Sequence, residues 1–149
     1  GDSRMIVMIK ELHEMTGLEF HQIAALRTQV FVVEQNCPYQ EVDAIDLIAK
    51  HLCIFDEQQQ LVSYARIYFI EGTVHFGRVL VNPLFRGQGH GDQLLQEIIK
   101  QLNRFYPNAP IEIEAQAHLQ KFYGKYNFVT VSDPFDEDGN LHVVMRKEK

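Results

Sequence analysis

Two periods of apolar and polar positions alternate along this chain, and the switches between them mark its elements. Residues 5–12 are short and apolar and predict a first strand. Ile23, Leu26, Val30 and Phe31 then recur at helical spacing. Thr16-Gly-Leu-Glu19 in front of them has capping-box spacing, with Thr capping the helix and Glu reaching back. A helix over residues 18–33 is therefore expected, ending before Asn36-Cys37-Pro38, where proline disfavours further helix. Residues 38–50 read as a polar loop carrying Glu41, Asp43 and Asp46, with a short helical turn near 44–48. Three strands follow, over residues 51–55, 61–70 and 74–81, separated by turns at 56–60 and at Glu71-Gly72. Leu94, Leu95, Ile98, Ile99, Leu102 and Phe105 form a clean amphipathic helix pattern, closed by Pro107 and Pro110. Residues 111–115 alternate apolar and acidic side chains, which predicts a strand. A short helix over 119–126 and two strands over 128–131 and 141–145, joined by a turn-rich hairpin from Asp133 to Asn140, complete the chain. The order is β-α-βββ-α-β-α-ββ, one mixed α/β domain spanning 1–149 without repeat or linker.

Composition narrows this picture only a little. The 149 residues suit one domain with a sizeable core, and 46% apolar and 23% charged residues are ordinary for a globular protein. The net charge of −6 and the lack of a basic stripe argue against a nucleic-acid binder, and an acidic protein suits a cationic acceptor such as an amine. Cys37 and Cys53 match no metal spacing and no dense disulfide framework, so both are expected to be free thiols in a reducing compartment, and the location to be cytoplasmic. No apolar run approaches the roughly 20 residues that span a bilayer, and no signal-peptide pattern opens the chain, so no membrane partner is expected. The chain begins with Gly1 rather than Met, and residues 1–4 are expected to be a non-native remnant.

One stretch carries most of the chemistry. The run Val79-Leu-Val81 leads through Asn82-Pro83 into Arg86-Gly-Gln-Gly-His-Gly91 and then into the amphipathic helix. A strand, a glycine-rich loop and a helix in that order make an anion site: glycines let backbone N–H groups crowd one concavity, and the helix N-terminus adds its positive dipole end. Arg86 adds a permanent charge suited to phosphate. The spacing is wrong for the dinucleotide fingerprint, and Gly-Lys-Ser/Thr is absent, which excludes a Walker loop. A tight turn without a ligand is the plain alternative, disfavoured because three glycines in five residues cost backbone entropy.

Here the sequence meets a known pattern. Arg86-Gly-Gln-Gly-His-Gly91 resembles motif A of the GNAT N-acetyltransferases, Gln/Arg-x-x-Gly-x-Gly/Ala, and Phe122-Tyr-Gly-Lys-Tyr-Asn-Phe128 resembles their Phe-Tyr-x-Lys/Arg-x-Gly-Phe. Leu26-Arg27, Val30 through Gln40, Gly77-Arg78-Val79 and Ala115 through Gln120 are similar to the ElaA-like branch. The resemblance implies a mixed, mostly antiparallel sheet whose two central strands splay, flanked by helices. It implies acetyl-CoA as cosubstrate, lying in the splay. Backbone groups of Val79 and Val81 would pair with the pantetheine arm. N–H groups of Arg86, Gly87, Gln88, Gly89, His90 and Gly91 would hold the pyrophosphate, with Phe122 beside them. Gln116 stands where many members carry Asn and would bond the pantetheine amide; its plain reading is a polar residue at a helix entry. Tyr123 holds the general-acid position, where a phenol stays protonated at neutral pH and can give its proton as the C–S bond breaks; packing beside the cofactor is the alternative. A backbone N–H near Leu80 or Val79 would stabilise the oxyanion. Asn127 replaces the family's Gly, a change that the left-handed region tolerates for Asn.

The general base is the open question. Glu34, Glu41, Asp43, His75 and His118 are candidates, and many enzymes of this type use a water chain. Glu34, Glu41 and Asp43 flank the loop on the acceptor side and would attract an ammonium; a solvated acidic loop is the plain reading. Arg27, Arg66 and Arg78 lie in otherwise apolar elements, and a buried arginine usually has a carboxylate partner. Holding the acidic loop is the preferred role of Arg78, substrate contact the other. The remaining histidines show no metal spacing, so no metal is expected. The reading is direct attack of a neutral amine on the thioester, with no cysteine as acyl carrier. The acceptor, a small-molecule or peptide amine, is not specified further. A homodimer is common for the resemblance but no sequence feature fixes it. A non-catalytic acyl-CoA-sensing module and a nucleotide-phosphate binder are the rival readings.

Overall fold

The computed structural model describes residues 4–148, so the first three residues of the expected remnant lie outside the described residues. Strand β1 (Ile6–Glu11) opens the fold. Thr16 caps the next helix as its spacing predicts: the Glu19 N–H donates to Thr16 Oγ1 at 3.1 Å, and the Thr16 N–H donates to Glu19 Oε1 at 2.9 Å. This helix, α1 (Gly17–Arg27), is shorter than expected. Over Thr28–Glu34 it widens into a π-helix, which the Cys37 N–H extends by donating to the Val32 carbonyl at 3.0 Å. Such widening re-aims side chains and recurs at functional sites. A one-turn helix α2 (Ile45–Ile48) interrupts the polar loop. Strands β2 (Lys50–Phe55), β3 (Leu61–Ile70) and β4 (Thr73–Val81) then form the meander read from the sequence. Helix α3 (His90–Phe105) buries Leu94, Leu95, Ile98 and Leu102, the stripe its pattern predicts. Strand β5 (Ile111–Gln116), helix α4 (Gln120–Gly124) and strands β6 (Val129–Thr130), β7 (Phe135–Glu137) and β8 (Asn140–Lys147) follow. Helix α4 ends earlier than expected, and the hairpin read from Asp133 to Asn140 contains β7, a strand the turn residues concealed.

The strands form one sheet in the order β1-β2-β3-β4-β5-β8-β6, with β7 also on β8. Every pairing is antiparallel except β4 with β5. That parallel contact holds at a single register position, Val74 opposite Ile111. Beyond it the two strands diverge, so the sheet opens in its middle. Both faces of the sheet are covered, which explains the continuous apolar run of β2. Leu52, Ile54, Ala65 and Ile67 meet α3 and the aromatic residues Tyr123 and Phe128 on one face; Cys53, Leu61 and Tyr64 meet Ile23, Leu26 and Val30 of the first helix on the other. Cys37 and Cys53 are buried free thiols. Among the described residues no helix is long and apolar enough to cross a membrane.

Candidate active site

The opening between β4 and β5 is a cavity of about 720 Å³. Its walls include Val79, Leu80 and Val81 of β4, Gln116 of β5, Tyr123 of α4, and Phe31, Glu34 and Gln35 from the widened end of the first helix. Strand β4 is irregular where it meets the cavity. Gly77 pairs with Arg66 and Leu80 with Tyr64, so Arg78 and Val79 together oppose Ala65. This bulge places Arg78 at φ 48°, a left-handed conformation rare for a side-chain-bearing residue. Bulges disrupt a ladder locally and re-aim the groups around them.

The glycine loop lies at one end of the opening. Gly87 (φ 78°) and Gly89 (φ 81°) occupy the left-handed region, where a Cβ is strained, and Gly89 is the N-cap of α3. Gly91 is different: it lies in the first turn of α3, and a Cβ there would touch only the Phe122 ring at 3.9 Å. Gln88 and His90 complete the loop, and His90 Nδ1 contacts Gln93 Oε1 at 3.0 Å. Phe122 lies under Gly91 rather than in the cavity wall. Arg86 reaches across the opening, its guanidinium 2.8 Å from Glu34 Oε1, and both side chains are half exposed. The two residues proposed for opposite sides of the cleft are therefore an ion pair.

Tyr123 sits deeper. Its ring packs against Phe76, Phe122 and Phe128, and its hydroxyl has no hydrogen-bond partner among the described residues. Burial pushes the phenol up to about 12, so it is a proton donor and not a base near neutral pH. Tyr126, by contrast, bonds Asp92 in the first turn of α3 and faces away. Asn127 adopts φ 71°, the left-handed geometry expected of it. His118 and Gln116 line the cavity, and Gln116 Nε2 stands 3.5 Å from Gln35 Oε1 across it.

The acidic loop is used differently from its expected role. Glu41 is buried and does not line the cavity: Arg27 Nε donates to it at 2.6 Å, Arg78 Nε at 2.9 Å and the Tyr39 hydroxyl at 2.8 Å. Asp43 accepts from Arg66 at 2.6 and 3.1 Å. Asp46 is also buried and accepts from Arg27 at 2.6 Å and Arg66 at 3.1 Å. Burial alone would raise the Asp46 carboxyl, but the bonded Arg27 guanidinium outweighs it and holds the group below the usual carboxylate range. Glu41 and Asp43 thus anchor the loop and have no free charge to offer an ammonium. Arg78 lines the cavity, yet its guanidinium is turned to Glu41 and to Asp43, at 3.5 Å from the latter, and holds the loop as expected. His75 Nδ1–H donates to the Glu112 carbonyl at 2.9 Å, close to where β4 and β5 begin to part.

Sequence reasoning missed a third wall. Glu114 of β5, Glu137 of β7 and His142 of β8 all line the cavity. The signal was present in Ile111-Glu-Ile-Glu-Ala115: the alternation that makes a strand also puts both glutamates on the face opposite the core. Glu11, His13 and Glu14, at the end of β1, bring three metal-type ligands together among the described residues, but none of them lines the cavity.

Comparison with known proteins agrees with this geometry. The sequence profile of the acetyltransferase (GNAT) domain matches residues 16–149. The chain therefore belongs to the GNAT acetyltransferase family. Within it the similarity falls on the ElaA-like branch: Escherichia coli ElaA is 37% identical over 145 residues, covering 93% of this chain and 95% of that protein. A UPF0039 protein of Synechocystis is 40% identical over 139 residues, with 91% and 90% covered. In structure, an acyl-CoA N-acyltransferase from Pseudomonas aeruginosa superposes with a TM-score of 0.92 at 40% identity, covering 97% of this chain and 99% of the other.

Proposed function

We propose that this protein transfers an acetyl group from acetyl-CoA to an amine, by direct attack within a ternary complex. The observation that carries the reading is the opened pair β4 and β5, with a positive-φ glycine loop at its edge and an unbonded Tyr123 hydroxyl in its wall. The pantetheine arm runs along the unpaired edge of β4 at Val79–Val81, bonding as a strand would. The pyrophosphate sits on the N–H groups of residues 86–91 and on Arg86, which leaves Glu34. The bulge at Arg78–Val79 presents a backbone N–H to the carbonyl oxygen, where charge develops in the tetrahedral intermediate.

The neutral amine attacks the thioester carbonyl, the C–N bond forms and the C–S bond breaks. The Tyr123 hydroxyl donates its proton to the departing sulfur and regains one from the amine nitrogen, so the products are the amide and free coenzyme A. Cys37 is not an acyl carrier: its thiol donates to the Asp138 carbonyl at 3.0 Å, and burial pushes it up, away from the thiolate.

The test is a panel of amines and peptides with acetyl-CoA, read by release of free thiol. Tyr123→Phe removes only the hydroxyl and is expected to lower kcat about 100-fold while leaving acetyl-CoA affinity within twofold. An unchanged rate removes the acid role from Tyr123. Acetyl-CoA binding with no turnover on any amine supports a sensing module in place of an enzyme.

A further inference from the structure

Around the cleft nearly every acidic side chain has an arginine. Glu34 has Arg86, Glu41 has Arg27 and Arg78, Asp43 has Arg66, and Glu112 has Arg146 at 2.9 Å. Two do not. Among the described residues neither Glu114 nor Glu137 is ion-paired to a lysine or arginine. The two carboxyl groups are neighbours on the cavity wall. The nearest cationic candidate is His142, whose Nε2 is 3.9 Å from Glu137 Oε2. Its Nδ1–H is given to the Asn140 carbonyl at 2.9 Å.

Aromatic and apolar side chains flank the pair within the cavity. Tyr68 stacks on His75 with ring centroids 5.2 Å apart and, with Ile70, forms an apolar wall on β3. The Cys37–Asp138 bond ties the segment after the first helix to the tip of the β7–β8 hairpin, and both residues line the cavity. A second, independent feature lies in the same cavity: Tyr123 is only 5% exposed, and its hydroxyl has no hydrogen-bond partner among the described residues.

We infer that the Glu114–Glu137 pair is the acceptor subsite, binding a small primary ammonium and taking the proton that must leave before attack. The inference rests on the acetyltransferase reading above. An ammonium entering between the aromatic wall and the carboxyl pair finds a negative charge that no protein cation has neutralised. Its proton passes to the Glu114 carboxylate, giving a neutral amine and a carboxylic acid; the acid returns the proton to solvent after the amide leaves. Burial, followed by the neighbouring Glu137 carboxyl, pushes Glu114 up, which makes it a better base than an isolated carboxylate. The groups facing it are Glu137 from β7, His142 from β8, Tyr68 from β3, and Glu112 on its own strand, the last held by Arg146 of β8.

The experiment uses n-butylamine, 2-phenylethylamine and 1,4-diaminobutane as probes with the full chain, its Glu114→Gln and Glu137→Gln variants, and the double variant. Acetyl-CoA affinity is measured by calorimetry, amine KM and kcat by thiol release across pH, and folding by thermal melting. Glutamine keeps the shape, and Glu114→Asp keeps the charge as a rescue variant. The expected result is a rise in amine KM of at least tenfold in each Gln variant. The acid limb of the kcat/KM profile also shifts in Glu114→Gln, with unchanged acetyl-CoA affinity and partial recovery in Glu114→Asp. Variants that keep kcat/KM within twofold and the same pH profile overturn the inference. So does a wild-type protein that binds acetyl-CoA but neither binds nor acetylates any probe, and that outcome leaves the cosubstrate reading standing. Failure to bind acetyl-CoA at all sinks that reading and the inference with it.

Discussion

Replacing Arg27 by Met tests whether the buried charges of this fold act as one structural unit. Arg27 is fully buried and every nitrogen of its guanidinium is used: Nε on Glu41, Nη1 on Asp46 and the Tyr64 hydroxyl, Nη2 on the Glu41 carbonyl and Asp46. Methionine fills much of the volume but leaves two buried carboxylates with fewer partners. Removing one side of a buried pair costs about 3–5 kcal/mol. The low end applies here, because Asp46 keeps Arg66 and the Asp43 N–H, and Glu41 keeps Arg78 and Tyr39. A loss of about 3 kcal/mol is a large part of the 5–15 kcal/mol of a typical domain. With a urea slope of about 2 kcal/mol/M it lowers the unfolding midpoint by about 1.5 M. Urea titration followed by circular dichroism at pH 7 measures this directly. The sign with pH follows from Asp46. Its carboxyl is held below the usual range, so its stabilisation is present above an ordinary carboxylate pKa and is lost as pH falls through the depressed value. In Arg27→Met that lowering shrinks, and acid unfolding moves to higher pH. A midpoint drop below about 0.5 M, or an unchanged acid transition, refutes the view that this arginine is what makes the carboxylates tolerable.

Three further outcomes are expected. Glu34→Gln frees Arg86 from an exposed pair worth up to about 1 kcal/mol, so coenzyme A affinity rises by up to about fivefold at low salt, measured by calorimetry, and the gain shrinks as salt is added. Gly89→Ala places a Cβ at φ 81° and destabilises the fold by about 1 kcal/mol or more, whereas Gly91→Ala improves helix propensity by about 1 kcal/mol and raises the melting temperature; equal effects on the two melts contradict the assignment of the turn. His51 accepts from the Tyr64 hydroxyl on Nδ1 and donates from Nε2 to the Asp46 carbonyl, and burial, helped by Arg27 and Arg66, lowers its pKa. Its folded value lies below the unfolded one, so stability is full above about pH 6.5 and falls as pH drops below it, by at most about 1.4 kcal/mol per pH unit; His51→Gln flattens that slope in urea titrations between pH 5 and 7.

Much of the fold could be read because burial imposes its period on the sequence. Leu61–Ile70 and the Leu94-to-Leu102 stripe are where their patterns put them, and Thr16 and Glu19 cap as their spacing demands. The features that shape the cleft left a weaker trace. In the π-helical turn at Thr28–Glu34, Val30 and Phe31 satisfy an α-helical pattern equally well, because one extra residue per turn shifts the register without changing which residues are apolar. The bulge at Arg78–Val79 is likewise a local excess of one residue, set by how β3 and β4 pair across space. Glu41 and Asp43 looked like substrate ligands because their partners, Arg27, Arg66 and Arg78, come from distant elements; the pairing was anticipated from the arginines but its exclusivity was not. Glu114 and Glu137 were hidden for the opposite reason. What distinguishes them is the lack of a lysine or arginine partner among the described residues, and that is legible only after every other charge has been placed.

The single register position at which β4 meets β5 has a consequence for how the sheet breathes. In most sheets the central strands exchange their amide hydrogens last. Here the seam runs through the centre, and among the described residues no strand pairs with the edge of β4 at Val79–Val81 on that side. The fold is a sheet left one strand short, and in the proposed reaction the cosubstrate's own amide-bearing chain supplies the missing strand. Binding would then be a step of secondary-structure completion, and slowed exchange along that seam its most direct record.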